Sequence, residues 1–163
     1  MTPEYDQVEG GEFDWFAVDA DGCIGHFSSA GFGPVPVQLL QNLPACELAL
    51  DAMQALPTIG SAVGHLSGDI SDWLAMAARG CHSFDWQHWS GPYLRAATPG
   101  VSINCRDLPA DLVDLLRLVE FRDVSFADLN EIRPEWLCQC EQAQRAVVVG
   151  RRDEGNEADK QGA

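Results

Sequence analysis

Apolar and polar positions change their period along the chain, and the changes mark its elements. In FDWFAVD (13–19) they alternate, with Phe13, Trp15 and Ala17 on one side and Asp14, Phe16 and Val18 on the other. Aromatic and β-branched residues in that pattern predict a strand. DADG (19–22) reads as a turn, because Asp19 can accept from the backbone two residues on and Gly22 tolerates positive φ. CIGHF returns as a second strand, and SSAGFGPVP is a Gly, Ser and Pro loop that cannot continue a ladder.

The period then becomes helical. In NLPACELALDAMQALP, Leu43, Leu50 and Met53 or Gln54 trace part of one face, widened by Cys46, Ala49 and Leu56. Asn42 is a candidate cap, Pro44 sits in the first turn, and Pro57 closes the helix. TIGSAVGHLSG is small and flexible in composition. A second helix is expected over 69–79, with Asp69 and Asp72 near its positive end, Arg79 near its negative end and Gly80 as the stop. CHSFDW and PYLRAAT predict another strand pair around QHWSG, followed by PGVSIN as a short extended piece. In RDLPADLVDLLRLVEF, Leu108, Leu112, Leu115, Leu116 and Val119 form an apolar stripe and Asp107 is placed to cap. DVSFAD reads as one more short strand. PEWLCQCEQAQRAVVVG carries both helix and strand signals.

The expected architecture is α+β: an antiparallel sheet built from 13–28 and 81–98, with about three helices, near 43–56, 69–79 and 108–118, packed on it. Residues 13–150 form a single domain between an acidic loose arm (1–12) and a charged tail (151–163) without apolar anchors, expected to be disordered. FDW at 13–15 and 84–86, each followed by a helix opening with LPA, fits this mixed architecture better than regular βαβ units.

Charge sharpens the picture. The 163 residues hold 25 Asp and Glu against 10 Lys and Arg, a formal charge of −15. Residues 1–78 contain eleven acids and no Lys or Arg, whereas 79–163 hold fourteen acids and all ten bases. A one-signed negative field repels nucleic acid and anionic membrane and attracts basic proteins. A surface that only confers solubility is the simpler account of the same charge. Six cysteines stand at 23, 46, 81, 105, 138 and 140. MTPEYDQVEGGEF lacks the pattern of a signal peptide, so reduced thiols and a cytoplasmic location are expected. No apolar run reaches the length of a membrane span.

Candidate chemistry is sparse. Counted from Asp19 as a calcium loop, the fifth, sixth and twelfth places are Cys23, Ile24 and Ala30, none of them the ligand or glycine required, so no metal is expected there. Cys138 and Cys140 are too closely spaced for a zinc knuckle, and Cys81 and His82 would face opposite ways on a strand, so neither metal nor cofactor is expected. His65, Ser67 and Asp69 are neighbours in sequence without a nucleophile-elbow pattern. No catalytic residue is assigned. Trp86, Trp89 and Tyr93, with His82 and His88, cannot all face one core if the strands alternate; either they fill a small core between sheet and helices or some of them anchor a partner, with Trp89, in the turn, the expected contact. Asp14, Asp19 and Asp21 are expected at the solvent edge, with the Trp15 face in the core.

WFAVDADGCIGHFSSAGFGPVP (15–36), YLRAATPG (93–100) and LPADL (108–112) resemble a loose set of uncharacterised small acidic bacterial proteins. In size and charge these are similar to toxin-neutralising immunity proteins. The functional expectation is a non-catalytic domain that binds a basic protein, such as a bacterial toxin, through Asp14, Asp19, Asp21, Trp89 and Tyr93. The alternative is a small hydrolase or ligand-binding domain using His65 or His82 with a nearby carboxylate.

Overall fold

A computed structural model describes residues 13–31, 33–133 and 135–136. The expected arm, the tail, Cys138 and Cys140, and nearly all of the ambiguous segment before the tail lie outside the described residues.

Strands β1 (Asp14–Asp19) and β2 (Ile24–Ser28) form the first antiparallel hairpin, with Trp15 opposite Phe27 and Phe16 opposite His26. The turn closes on Asp19, whose Oδ1 accepts from the amides of Asp21 (2.9 Å) and Cys23 (2.8 Å). Gly22 has φ +83°, a conformation that favours glycine, and a Cβ there would strike the Asn104 side chain.

Helix α1 (Val37–Leu40) is a single turn, and α2 (Leu43–Gln54) follows with Pro44 in its first turn. Asn42 precedes α2 but does not cap it, since its side-chain amide donates back to Gln38 O at 2.7 Å. The segment read as flexible contains β3 (Ala62–Gly64), a short edge strand. Then come α3 (Ser71–Ala78), β4 (His82–Trp86) and β5 (Tyr93–Pro99), the last two pairing as the second antiparallel hairpin.

A 3-10 turn at Cys105–Asp107 is capped by the Asn104 side chain, which accepts from Arg106 N, and α4 (Ala110–Leu116) starts only after Pro109. Asp107 is therefore part of a separate turn and does not cap the helix. DVSFAD is not a strand. Phe126–Asp128 forms a 3-10 turn, flanked by the two-residue strands β6 (Glu120–Phe121) and β7 (Glu131–Ile132). The buried Phe126 amide donates to Asp19 Oδ2 at 2.8 Å, so a side-chain acceptor takes the place of a ladder.

The fold is α+β, as its pattern predicts: one seven-stranded sheet in the order β3-β5-β4-β2-β1-β6, with β7 also paired to β5. Both hairpins are antiparallel, but they join through a parallel β2–β4 pair, and β6 adds to β1 in parallel. The helices and β3 between β2 and β4 make the long crossover that such a pairing requires.

Both faces of the central strands are buried. On one, Phe16, Val18 and Ile24 pack with Ala49 and Met53 of α2, Met76 of α3 and Leu112 and Leu116 of α4. On the other, Trp15, Phe27, Phe84, Trp86, Tyr93 and Phe126 form an aromatic layer in which Trp15 stacks on Phe27 at 4.1 Å. The Trp15 face is core as expected. The opposite face is core as well, except at one end.

Candidate functional site

That end is where β1 begins and β2 and β4 finish. The register places Asp14 opposite Ser28, Ser28 opposite Asp85, and Asp85 opposite Leu94, one rung across four strands on the helix-packed face. The next rung inward aligns Phe16, His26 and Ser83. Two carboxylates thus flank a serine, with a histidine and a second serine directly beneath.

His26 is only 2% exposed and sits against the Phe16 ring, 5.4 Å between centroids. Its Nδ1 lies 3.2 Å from Ser83 Oγ, a hydrogen bond whose direction follows the tautomer. Its Nε2 is buried without a hydrogen-bond partner, and Asp14 Oδ2 stands 3.5 Å away. The Asp14 side chain is 30% exposed and is the side of the cluster open to solvent. Asp85 is buried, and burial pushes its carboxyl pKa up; hydrogen bonds from Gln87 and the Trp86 backbone oppose this, while the charge of Asp14 adds to it. Among the described residues, neither Asp14 nor Asp85 has a Lys or Arg within ion-pair distance.

Ser83, His26 and Asp14 line up like a nucleophile, base and orienting acid, but Ser83 is fully buried in a central strand. A nucleophile must reach a carbonyl, and this one does not meet solvent. At its rim the cluster presents the Asp14 carboxylate, with His26, Ser83 and Asp85 buried behind it.

The sheet's opposite face carries a second polar group with the reverse character. A bulge between β4 and β5 sets Arg95 opposite Phe84, with the guanidinium over the Phe84 ring at 4.9 Å. Arg95 is buried without a carboxylate partner among the described residues, yet each of its nitrogens donates: Nε to Leu129 O (2.7 Å), Nη2 to Phe126 O, and Nη1 to His82 Nδ1 (3.1 Å) and Thr98 Oγ1 (3.3 Å). Because a guanidinium only donates, His82 Nδ1 must accept, and Nε2–H donates to Ser102 Oγ at 3.1 Å. Burial, then the charge of Arg95, lower the His82 pKa from 6.5 to about 4. This group is a closed structural clamp.

The residues singled out in the sequence are scattered. Tyr93 is fully buried, its hydroxyl accepting from Trp15 Nε1 (3.2 Å) and donating to Pro34 O (3.0 Å), so it cannot meet a partner as expected. Asp19 is 6% exposed and is a turn-forming acceptor, not a residue of the solvent edge. Asp21 is exposed, accepting from Ser125 Oγ at 2.7 Å, and Trp89 is 82% exposed, as expected of both. Asp14 reaches the surface only in part. His65 is exposed and paired with Thr98 Oγ1 at 2.8 Å, while Asp69 accepts from Ser71, so His65, Ser67 and Asp69 form no triad. His82 has an arginine beside it where a carboxylate was sought.

Cys81 packs with the helix-side core while His82 bonds to Arg95 on the other face. Burial raises the thiols of Cys46 and Cys81, to about 11 and about 12, which leaves them inert small hydrophobes. No group of three or more His, Cys, Asp or Glu among the described residues is arranged to hold a metal ion. Nor is any helix among them long and apolar enough to cross a membrane.

His26, Ser83, Asp85 and Arg95 were not singled out from sequence. Half of the first cluster had a signal, since a turn at 19–22 fixes Asp14 opposite Ser28 and Phe16 opposite His26. The other half depends on a parallel pairing that no local pattern announces. No protein-family model, no curated protein and no solved structure matches the chain.

Proposed function

We propose that the chain is a ligand-binding domain whose site is the polar end of the sheet, with His26, Asp14 and Asp85 as its binding groups and no covalent step. The observation that supports it is His26 Nε2, buried, without a hydrogen bond and 3.5 Å from a partly exposed carboxylate. An orphaned polar atom costs on the order of 1–3 kcal/mol, a cost that a ligand partner would relieve. Histidine-with-carboxylate chemistry, sought at His65 or His82, is thereby moved to His26. The buried Ser83 argues for binding over hydrolysis. The test is side-chain 15N NMR of His26 against small cations, neutral polyols and small anions. We expect one class to move His26 and the Asp14 and Asp85 backbone while leaving His82 still. If no class moves His26, the site reading falls.

A second reading, neutralisation of a basic protein such as a bacterial toxin in the cytoplasm, is favoured by the exposed Trp89 and Asp21 and by the charge of −15. Steering by the acidic field would set the on-rate, and Trp89 would supply a buried anchor. Affinity capture at low and high salt should then retain one stoichiometric basic protein whose association slows as salt rises. Its absence at low salt would remove this reading.

A further inference from the structure

We infer that the outer edge of β3 is a docking edge, where an extended segment of a basic partner adds to the sheet as a further strand. The inference needs neither the His26 cluster nor the exposed Trp89; it stands on how the sheet finishes its edges. Among the described residues β3 pairs only with β5, Val63 lying opposite Thr98. Ser61 O accepts from Gly100 N at 2.8 Å, and His65 N donates to Ala96 O at 2.9 Å. Backbone groups alternate along an antiparallel ladder, so those of Ala62 and Gly64 turn the other way, out of the sheet.

Bare strand edges invite pairing with another chain, and proteins guard them with charged side chains. The other two strands paired on one side only are guarded in this way. Glu120 of β6 meets Arg117 at 3.2 Å and Arg122 at 3.6 Å, and Glu131 of β7 meets Arg133 at 3.7 Å. In contrast, β3 reads Ala-Val-Gly, and residues 57–68 contain no Asp, Glu, Lys or Arg. Val63 is 57% exposed, with Ile59 and Val101 also exposed nearby, and Val101 lies against Gly60.

Charge and alternation fix the occupant. Gly64 faces α3, against Ile70 and Leu74, so Val63 faces the other side of the sheet. That end of α3 carries Asp69 and Asp72, both exposed and without a Lys or Arg partner among the described residues. Arg79 stands at the opposite end of α3, its guanidinium donating to Leu56 O and Ala75 O. A second copy of this chain would bring another net −15, and its own β3 region has no Lys or Arg to answer these carboxylates. A segment that alternates apolar with basic residues sets the first beside Val63 and the second toward Asp69 and Asp72. In an antiparallel addition, Val63 falls at a pair without backbone bonds, where cross-strand side chains lie closest.

The test titrates the intact chain with three peptides: Lys-Val-Thr-Val-Lys-Val-Lys, its analogue with Glu for every Lys, and the Lys peptide N-methylated at alternate amides. Binding is read by hydrogen exchange and 1H–15N shifts of the Ala62 and Gly64 amides. We expect only the unmodified Lys peptide to slow exchange at both, and to bind more weakly as salt rises. Val63→Lys, at an exposed position, should weaken that peptide about tenfold, because it removes an apolar contact and charges the edge. Ala62→Pro removes one outward N–H and should weaken binding too; the thermal midpoint of each variant checks that the fold is kept. Equal binding of the Glu analogue would overturn the basic partner, and binding of the N-methylated peptide would overturn strand addition. Protection of both amides without peptide, together with a dimer in sedimentation, would assign the edge to a second copy and overturn the partner. If no peptide slows the two amides, the docking edge falls. The His26 resonance is expected to stay still in every titration, so the site proposed above is judged separately.

Discussion

The two histidine clusters lie back to back on one sheet and differ in how completely they are paired. Around Arg95, every nitrogen of a buried cation meets a carbonyl, a hydroxyl or an imidazole lone pair, and His82 is held in a single tautomer. Around His26, a buried nitrogen has no hydrogen bond and two carboxylates have no Lys or Arg partner among the described residues. The first arrangement has no capacity left for a ligand, and its stake is stability. The second gives up stability, which under the proposed reading leaves capacity for a ligand. Burial of polar groups does not by itself mark a site, whereas incomplete pairing calls for an explanation.

Stability should break at the Arg95 side first. Arg95→Met removes the cation and leaves Phe126 O, Leu129 O and His82 Nδ1 without their donor, a loss of about 3–5 kcal/mol in a urea unfolding titration. A change below about 1 kcal/mol would mean that the clamp is dispensable and that the contrast between the clusters is false.

Proton linkage sharpens the same comparison. His82 titrates near 6.5 when unfolded and at about 4 when folded, so between these values the unfolded chain binds the extra proton. Its contribution is fully present above pH 6.5 and is lost as pH falls toward 4, on the order of 3 kcal/mol in all. His82→Gln can still accept from Arg95 and donate to Ser102 but does not titrate. The difference between wild-type and variant stability should therefore slope across pH 4–6.5 and be flat above it. A flat difference throughout would show that His82 is not held neutral.

Smaller effects separate the acidic residues of the opening hairpin. Asp19→Asn weakens an acceptor of three backbone amides, those of Asp21, Cys23 and Phe126, and should cost about 1–2 kcal/mol in a thermal melt. Asp21→Asn, with the Ser125 hydroxyl on its side chain, should stay within about 0.5 kcal/mol of wild type. Asp14→Asn should be as mild in stability and felt only in ligand binding. If Asp14→Asn unfolds early while Asp19→Asn does not, the division between structural and binding carboxylates is reversed.

Much of the framework was readable from local pattern. The first hairpin, the helix over 43–54 and the core position of Trp15 follow from alternation, turn chemistry and helical spacing, each decided within a few residues. Readings that failed did so where a distant partner took over. Asp107 and Asn42 had the chemistry of caps but their helices begin in other contexts. DVSFAD looked extended, yet the Phe126 amide is taken by Asp19, 107 residues away in sequence. Tyr93 had the composition of an interface residue, and the aromatic layer absorbed it, leaving Trp89 outside.

The sequence by itself therefore determined the α+β class, the two hairpins and the acidic field, because period, turn residues and net charge are local or additive properties. Only the tertiary structure decided which polar residues meet. His26 and Ser83 are 57 residues apart and share a rung because β2 and β4 pair in parallel after a long crossover. Arg95 faces His82 because one bulge shifts the register by a residue. Strand partner and register are set by the summed burial of both sheet faces, a property of the packed whole. No short stretch of chain contains it.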